Sequence, residues 1–396
     1  MNLAVCYPSV IPHQGGCETY IAGLARRLVG DGHAVHLYAC RGDAAALPAG
    51  LACHAVRLPR CPRFARAWLF SRACSSLLAG GRHDASIGFD KIEGVDIYYP
   101  QGGEYPASVR LSQDKHRNPA VRAGLRLARE FDPTHRSLLS LERRQLARRG
   151  SLVVAISEMV RGHLLARGDV SPDSVRVLPI APMPDRLQED DRPARRARSR
   201  AAWRIDETDC VALFAAMNLR LKGIEPLLHA MARLRDTPLV VVVVGNEPDG
   251  SLRRLARRLG VEGRVRFVGY CADMRDAYFG ADLLVHPTFY DPCANVVLEA
   301  LACGLPVVTT RNNGAGEQIR GADLGGARDE GHLLADPHDD ESLAGALRDL
   351  LDPSRRRACS DAARRAASRW TFDDHYRGLM AILREFHAGQ SRNAAA

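Results

Sequence analysis

The sequence predicts an α/β protein made of two doubly wound parallel sheets in tandem. Its 396 residues are too many for one ordinary hydrophobic core, so at least two domains are expected. Strand-sized apolar runs alternate with amphipathic helical stretches, once in the first half of the chain and again, more clearly, in the second. The composition, 46% hydrophobic and 26% charged, is that of an ordinary globular protein.

The first predicted domain opens with a strand, loop, helix and strand unit. Residues 1–7 form an apolar run, and a loop at 8–16 leads into an amphipathic helix. The apolar face of that helix is formed by Tyr20, Ile21, Leu24 and Leu28. The next apolar run, 34–39, completes a unit that is typical of a parallel sheet. Further strands are predicted at 85–88, 152–156 and 176–178, and the domain is expected to end near 182–184.

A charge-dense stretch at 190–200 separates this domain from the second one. It is poor in large apolar residues, as a linker or a solvated helix is, and it serves as a boundary marker. The second domain alternates strands at 211–217, 239–245, 265–268, 283–286 and 306–309 with helices at 224–234, 252–259, 274–279 and 295–303. More helices are predicted at 343–351, 355–370 and 372–386, followed by a frayed tail at 390–396.

These elements divide the chain into three parts. Residues 1–185 are expected to form an N-terminal domain and residues 186–370 a C-terminal domain. Residues 371–396 are expected to form a helix and tail that can return to the N-terminal domain.

The charge and the cysteines limit the possible partners. The net charge of +9 predicts an anionic partner: nucleic acid, an acidic membrane surface or a phosphorylated substrate. The eleven cysteines include no C-x-x-C pair and no zinc-like cluster, so we expect reduced thiols and no metal site.

The first residues lack signal-peptide features and no run of about 18 apolar residues occurs, which predicts a cytoplasmic protein.

The most informative segment is the loop and helix after the fourth strand of the second domain. Asp291 lies in the loop, and Glu299 lies about one turn inside a helix that starts near Ala294 and Asn295 and continues with Val296. Backbone N–H groups at a helix start bind phosphate, and ligands of open parallel sheets lie beyond the carboxyl ends of the strands. The two carboxylates can accept hydrogen bonds from sugar and ribose hydroxyls. The segment therefore predicts a nucleotide-sugar pocket; the alternative is a pair of acids on a helix surface.

This segment, which ends in a Gly-Leu-Pro-Val-Val strand, resembles the acid, seven residues, acid motif of the family 4 retaining glycosyltransferases, or glycosyl transferases group 1. The resemblance implies the GT-B fold, in which two Rossmann-like domains face each other across a cleft. It also implies that Glu299 holds the nucleotide ribose and that Asp291 contacts the donor sugar. Three positions depart from the family. Asp291 stands where Glu is usual, Ala294 where Gly is common, and Cys293 where an aromatic or small residue is usual.

The loop after the strand at 211–217 carries two cations, Arg220 and Lys222. Cations at this end of a strand can neutralise a diphosphate leaving group, and the family has an Arg and a Lys-Gly pair in this loop. Lys222 and Gly223 match that pattern, but Met217 stands at the usual Arg position, so we assign the role to Arg220. The structural alternative, a basic residue that starts a helix, is unfavourable because cations are disfavoured at helix N-termini.

Other loops are expected to complete the donor site. Gly15 and Gly16 follow the first strand, where family members carry a similar pair that faces the diphosphate. The pair is equally compatible with an ordinary turn, and the lack of a G-x-G-x-x-G pattern argues against an NAD enzyme. Gly245 and Tyr270 follow later strands, where the family holds the base. Tyr270 is a stacking platform there or simply an exposed ring.

The expected chemistry needs no cofactor besides the nucleotide-sugar donor, which is UDP- or GDP-linked. No D-x-D triplet occurs, so Lys222, Arg220 and helix N-termini are expected to replace a metal ion. Retention in this family is ascribed to front-face attack, in which the departing phosphate oxygen helps to deprotonate the acceptor. Catalysis then consists mainly of positioning and leaving-group electrostatics.

Residues 88–105 are similar to the corresponding region of bacterial lipopolysaccharide core glucosyltransferases, which share Gly-Phe-x-Lys and Gly-x-Asp-Val-Tyr sequences. This similarity implies a lipid-linked or lipopolysaccharide core acceptor, bound to the N-terminal domain. The acid that those enzymes place after the tyrosine falls near Gly102, so Glu104 is the nearest catalytic candidate. It is equally compatible with a loop acid that has no such role.

Two arginine-rich regions predict contact with an anionic membrane surface rather than with nucleic acid. In the core glucosyltransferases the region that corresponds to the first touches the inner membrane, which implies a peripheral enzyme on the inner face of the cytoplasmic membrane. The alternative for each region is a solvated helix. The first comprises Lys115, His116, Arg117, Arg122, Arg126, Arg129, Arg136, Arg143, Arg144, Arg148 and Arg149. The second comprises Arg60, Arg63, Arg66 and Arg72 around Trp68, Leu69 and Phe70.

Two other functions are compatible with the sequence. The departures at Met217, Asp291 and Ala294 allow a non-catalytic, membrane-associated binding protein on a degenerate GT-B scaffold. Another GT-B enzyme, such as a sugar-nucleotide epimerase or a sucrose- or trehalose-type synthase, would differ on the acceptor side. Turnover of a nucleotide sugar and identification of its product distinguish these alternatives from a hexosyltransferase.

Overall fold

The chain folds into two compact units. Unit 1 comprises Met1–Pro179 together with Asp373–Ala396, and unit 2 comprises Ile180–Phe372. The computed structural model describes residues 1–11, 15–43, 45–183, 191–319 and 327–395, with side chains except at 327–328 and 391–395. The loop residues 12–14, the expected domain boundary at 184–186 and the start of the charge-dense stretch at Asp190 lie outside the described residues.

Unit 1 is a parallel sheet with helices on its faces. Its strands are β1 (Asn2–Cys6), β2 (Ser9–Val10), β3 (Ala34–Ala39), β4 (Arg41–Gly42), β5 (Ala52–Ala55), β6 (Ala85–Gly88), β7 (Ile97–Tyr98), β8 (Leu152–Ala155) and β9 (Val175–Val177). The sheet has the order β5-β3-β1-β6-β7-β8-β9, and β2 pairs with β4 beside it. β1 and β6 are buried almost throughout, because helices cover both faces of a parallel sheet.

The helices of unit 1 follow local sequence signals. They are α1 (Gly16–Gly30), α2 (Arg63–Gly80), α3 (Tyr105–Gln113), α4 (Pro119–Glu130), α5 (Pro133–Leu146) and α6 (Glu158–Leu165). α4 and α5 each begin with proline directly after a capping residue, Asn118 or Asp132, whose side chain accepts a backbone N–H of the first turn. None of the residues of α4 is buried.

Unit 2 repeats the same architecture. Its strands are β10 (Cys210–Ala216), β11 (Leu239–Gly245), β12 (Val265–Gly269), β13 (Leu283–His286), β14 (Val307–Thr310), β15 (Ala327–Arg328) and β16 (Gly331–Leu334). They form one sheet in the order β12-β11-β10-β13-β14-β16-β15, parallel except for the edge strand β15. The helices are α7 (Arg192–Trp203), α8 (Ile224–Ala232), α9 (Gly250–Arg258), α10 (Met274–Gly280), α11 (Asn295–Ala302), α12 (Asp340–Asp349) and α13 (Pro353–Ala367). Two doubly wound sheets confirm the predicted fold class.

The charge-dense stretch forms a helix that is not wholly solvated. α7 starts at Arg192, and Arg200 within it is only 1% exposed. The Arg200 guanidinium donates to Asp282 Oδ2 at 3.3 Å and to the carbonyl of Asp209 at 2.8 Å. A buried guanidinium needs such acceptors, so this arginine fastens α7 to the sheet of unit 2.

The last helix, α14 (Phe372–Ala395), is longer than the sequence predicts. The expectation of a frayed tail from residue 390 is wrong as far as Ala395, because the helix continues to that residue. α14 belongs to unit 1, where its residues Leu379 and Leu383 are fully buried. Its apolar face therefore completes the core of a unit that begins at the other end of the chain.

Two properties concern the chain as a whole. Within the described ranges, every helix is too short or too polar to span a bilayer. All eleven cysteines are free thiols.

Candidate functional site

The candidate site lies where the strand order of unit 2 reverses direction. From the central strand β10 the chain runs outward to β11 and β12 on one side, and then returns to β13 and β14 on the other. In open parallel sheets ligands bind beyond the carboxyl ends of the strands at such a switch point. The loops that follow β10 and β13 flank this point and contain Lys222 and Asp291.

Lys222 and Asp291 form an ion pair at the switch point. Lys222 Nζ lies 2.6 Å from Asp291 Oδ2 and also donates to the carbonyl of Tyr290 at 3.0 Å. A backbone hydrogen bond joins the two loops that carry these residues: the N–H of Phe289 donates to the carbonyl of Leu221 at 3.0 Å. The structure therefore brings together two residues that the sequence assigned to one site.

Gly223 makes this close approach of the two loops possible. Its φ is +90°, and a Cβ at this position would lie 2.1 Å from the carbonyl oxygen of Pro287. A side chain would therefore both strain the backbone and push the loops apart.

The ion pair is partly buried, and burial together with the neighbouring charges determines the pKa of Asp291 and of His286. Burial alone raises the pKa of Asp291, but the Lys222 charge and the neighbouring His286 outweigh it and hold that pKa well below its usual range. Burial lowers the pKa of His286, with Asp291 opposing and Lys222 adding to the effect. At neutral pH the site therefore contains an ionised Asp291 and a neutral His286.

The start of α11 lies next to this pair. The backbone N–H of Ala294 donates to Asn313 Oδ1 at 3.1 Å, and Asn313 also forms a parallel bridge with Asp291. Asn295 and Val296 occupy the first turn and are partly exposed. The N–H groups of a first helical turn lack acceptors within the helix, so this end of α11 is suited to an anion.

Glu299 follows one turn inside α11 and is oriented by a neighbouring helix. The hydroxyl of Tyr278, in α10, donates to Glu299 Oε2 at 2.6 Å. Tyr278 itself is fully buried, whereas Glu299 is partly exposed. A fixed carboxylate with access to solvent can accept hydrogen bonds from a polyhydroxyl ligand.

Arg220 is placed differently from Lys222. Its Nη2 lies 3.1 Å from Asp249 Oδ2, and its guanidinium also contacts Glu225 and Ser251. It lines an open depression of about 510 Å³ with Met217, Asn218, Asn246 and Glu247. Two carboxylates thus balance the charge that the sequence assigned to a diphosphate.

Gly245 and Tyr270 lie at the carboxyl ends of β11 and β12. The φ of Gly245 is +133°, and a Cβ there would lie 1.9 Å from the carbonyl oxygen of Ala216. The Tyr270 side chain is 63% exposed, as a ring available for stacking must be.

The remaining predicted residues lie in unit 1. Gly15 caps α1 and Gly16 is its first residue, and a Cβ on Gly15 would collide with the Glu18 carboxylate at 2.4 Å. Glu104 is 2% exposed, and its carboxylate accepts the N–H of Ala107 at 2.6 Å and pairs with Arg167 at 3.0 Å. These contacts make Glu104 the N-cap of α3 and explain its presence without a role towards an acceptor.

Three residues of the site escaped the sequence analysis. His286, Tyr278 and Asn313 received no role, although His286 ends the strand predicted at 283–286. His286 could have been noticed as the last residue of a strand directly before the acidic loop. The other two come from separate elements, and no local pattern marks them.

Two family models match the chain, one in each unit. The model described as "Glycosyl transferase 4-like domain" matches residues 15–181, and the model described as "Glycosyl transferases group 1" matches residues 209–353. Together they span the loops and strands that build the candidate site.

Curated relatives are similar to large parts of the chain. The lipopolysaccharide glucosyltransferase WaaG of Escherichia coli (strain K12) is 25% identical over 275 residues, which cover 68% of this chain and 69% of WaaG. The D-inositol 3-phosphate glycosyltransferase of Rhodococcus jostii (strain RHA1) is 34% identical over 206 residues, which cover 49% of this chain and 44% of that protein. The chain thus spans less than half the length of the second relative.

Solved structures share the fold along nearly the whole chain. The crystal structure of WaaG, a glycosyltransferase involved in lipopolysaccharide biosynthesis, gives a TM-score of 0.78 at 23% identity and covers 96% of this chain and 99% of WaaG. Anabaena Alr3699/HepE in complex with UDP-glucose gives 0.71 at 17% identity, with 97% and 100% covered. At these identities the likeness establishes the GT-B fold of two Rossmann-like units.

Proposed function

The chain belongs to the group 1 glycosyltransferases, and on this premise we propose that it transfers a hexose from a nucleotide diphosphate sugar with retention of configuration. The acceptor in this proposal is a lipid-linked, lipopolysaccharide or other cell-surface glycan. The observation that carries the proposal is the Lys222–Asp291 pair beside the start of α11, at the switch point of the unit 2 sheet.

In the proposed donor complex each group has a separate task. The Glu299 carboxylate, oriented by Tyr278, accepts hydrogen bonds from the ribose hydroxyls, and Asp291 accepts one from the donor sugar. Lys222 and the first-turn N–H groups of Asn295 and Val296 neutralise the diphosphate. Gly245 and Tyr270 approach the base, and Ala294 leaves room beside the diphosphate.

The proposed reaction exchanges one bond at the anomeric carbon. The bond from C1 to the phosphate oxygen breaks, and a bond from C1 to the acceptor oxygen forms on the same face. The acceptor proton passes to the departing phosphate oxygen, and the nucleoside diphosphate leaves. In this scheme Lys222 and the start of α11 supply the positive charge, so no metal ion is required.

We take UDP-glucose as the first donor to test. The relative WaaG is a glucosyltransferase, and the Anabaena structure contains UDP-glucose. A GDP-linked donor remains the alternative.

The acceptor and location are proposed from unit 1. In α4 the apolar residue Leu127 is 61% exposed, and Phe131, which directly follows the helix, is 74% exposed. The same helix carries Arg122, Arg126 and Arg129. An exposed helix with an apolar and a basic face is typical of interfacial binding to anionic lipid. A peripheral enzyme on the inner face of the cytoplasmic membrane would meet a lipid-linked acceptor there.

The test is calorimetric titration with UDP and assay of UDP release from UDP-glucose. We expect Glu299→Gln to weaken UDP binding about 10- to 100-fold, because it removes charged hydrogen bonds to the ribose. The matched control is Glu262→Gln, at the opposite end of the sheet, which should bind UDP normally. Equal affinities of the two variants would refute the assignment of Glu299.

Turnover separates the proposal from a non-catalytic binding protein. Two observations favour such a protein: Met217 stands at the usual Arg position, and the charge of Arg220 is balanced by Glu225 and Asp249. We expect UDP release that depends on a membrane glycan acceptor and persists in excess EDTA. Binding of UDP without release from any donor would support the binding protein instead, and activity restored only by added metal would refute the metal-independent scheme.

A further inference from the structure

His286, the last residue of β13, lies buried directly behind the Lys222–Asp291 pair. It is 1% exposed, and its Nε2 lies 3.5 Å from Asp291 Oδ2, the same oxygen that Lys222 contacts. Among the described residues, neither ring nitrogen has a hydrogen-bond partner at normal geometry. Leaving a buried imidazole without partners is unfavourable, so packing alone does not explain this residue.

The surroundings of the imidazole fix its position. The ring of Phe214, on β10, is inclined to it by 29°, with 6.3 Å between the ring centroids. The backbone is held as well, since the carbonyl of His286 accepts hydrogen bonds from Thr309 Oγ1 and from the N–H of Thr288, each at 2.8 Å. His286 therefore stays behind Asp291 whatever the more exposed Lys222 side chain does.

The proposed function gives Lys222 two competing partners. Its ammonium pairs with Asp291 in the structure, and in the proposed reaction it must neutralise the diphosphate. A carboxylate that is only 14% exposed would then lose the contact that most strongly stabilises its charge. Asp291 needs a second partner at that moment to stay ionised.

We propose that His286 is a positioning residue of the donor site and takes over Asp291 when Lys222 turns to the diphosphate. This inference rests on the proposed function. The Nε2–H of neutral His286 then donates to Asp291 and keeps the carboxylate directed at the donor sugar. A shift of roughly 0.3–0.8 Å brings the two atoms from 3.5 Å into the normal hydrogen-bond range. No proton is transferred in this step; only the hydrogen-bond partners of Asp291 and Lys222 change.

The test compares three substitutions that differ in reach. Gln places an amide nitrogen near the position of Nε2, Asn places the same group nearer to Nδ1, and Leu removes it. The probes are UDP, which lacks the sugar that Asp291 would contact, and UDP-glucose, both titrated by calorimetry.

We expect His286→Leu and His286→Asn to bind UDP-glucose about tenfold more weakly than the wild type, because a charged hydrogen bond is lost. Their affinity for UDP should change by less than about threefold. His286→Gln should restore most of the affinity for UDP-glucose. A purely structural role would weaken both ligands together and would not distinguish Gln from Asn.

Three results would overturn the inference: normal UDP-glucose binding by His286→Leu, equal impairment of the Gln and Asn variants, or equal losses for UDP and UDP-glucose. If the Leu variant does not fold, the Gln and Asn pair still decides. A wild-type chain that binds neither probe would overturn the proposed donor together with this inference. Normal wild-type binding with an unaffected Leu variant overturns the inference alone.

Discussion

Two glycines of the candidate site, Gly223 and Gly245, allow backbone groups to approach each other more closely than any side chain would permit. Gly223 lies against the carbonyl of Pro287, and Gly245 lies against the carbonyl of Ala216. Both have positive φ, which costs little only for glycine. Gly223 thereby allows the loops that carry Lys222 and Asp291 to approach each other, and Gly245 allows the ends of β10 and β11 to do the same.

We expect Gly245→Ala to lower the free energy of unfolding by about 2–4 kcal/mol, because the new Cβ meets a carbonyl oxygen at 1.9 Å in a strained backbone conformation. Urea denaturation followed by circular dichroism measures this change. The control is Gly345→Ala in α12, where a Cβ meets nothing within 4 Å. That substitution should be neutral or stabilise by up to about 1 kcal/mol. Similar values for both variants would refute the close-contact argument.

At the scale of elements, α14 is joined to unit 1 through His375. The Tyr20 hydroxyl lies 2.7 Å from His375 Nε2, and Nδ1 lies 2.8 Å from the carbonyl of Pro179. One ring thus connects α14, α1 and the last residue of the first segment of unit 1. Burial lowers the pKa of His375 from 6.5 to about 4, so the ring is neutral when these contacts form.

This pKa predicts a pH dependence of stability. The unfolded chain binds the proton more tightly than the folded one, so the contribution of His375 is complete above about pH 6.5 and is lost as the pH falls towards 4. Between pH 7 and pH 5 we expect a loss of about 2 kcal/mol that His375→Gln abolishes. Urea denaturation at both pH values measures it. His387→Gln, on an exposed position of the same helix, should retain the loss; a pH slope unaffected by His375→Gln would contradict the prediction.

The apolar side chains of α4 are exposed: none of the residues of this helix is buried. In α9, by contrast, Leu252 and Ala256 are buried and only the basic face is exposed. This contrast provides a matched pair for testing the proposed membrane contact.

We expect the triple substitution of Arg122, Arg126 and Arg129 to Ser to weaken binding to phosphatidylglycerol vesicles about 100-fold, since each basic residue contributes about 1 kcal/mol. Leu127→Ser with Phe131→Ser should also weaken it, and with less dependence on salt. Co-sedimentation measures both. Substitution of Arg254, Arg257 and Arg258 to Ser in α9 removes the same charge and should have little effect. Equal losses from the two helices would indicate a general charge effect and no specific role for α4.

At the scale of the whole molecule, unit 1 is discontinuous in sequence. The chain leaves it after Pro179 and returns at Asp373. The returning helix buries several large apolar side chains, including Leu379, Met380, Leu383 and Phe386. Burial of that many side chains contributes about 10 kcal/mol, which is comparable with the whole stability of a domain.

We therefore expect a chain that ends at residue 372 to contain an unfolded unit 1 and a folded unit 2. Hydrogen exchange read by mass spectrometry should show lost protection in β1, β3 and β6 and normal protection in β10 and β11. Unit 2 is the internal control, because it keeps all its residues. Full protection in both sheets would show that α14 is dispensable for unit 1.

The sequence by itself determined the fold class, the approximate bounds of the main elements and the acidic motif. Apolar periodicity, prolines and capping residues act over a few positions, and Asp291 and Glu299 lie within one loop and one helix. The short strands β5 and β7 were missed because four or two residues carry too little pattern.

Only the tertiary structure decided which groups meet. Lys222 pairs with Asp291, Tyr278 orients Glu299, and Arg220 is engaged by Asp249, all between different elements. Glu104 was a catalytic candidate or a loop acid, and the stretch that contains Arg200 was expected to be a linker or a solvated helix. The fold buries both residues with partners. A parallel sheet brings the carboxyl ends of distant strands to one edge, so contacts between their loops depend on strand order and burial. Neither of these is recorded in the local spacing of residues.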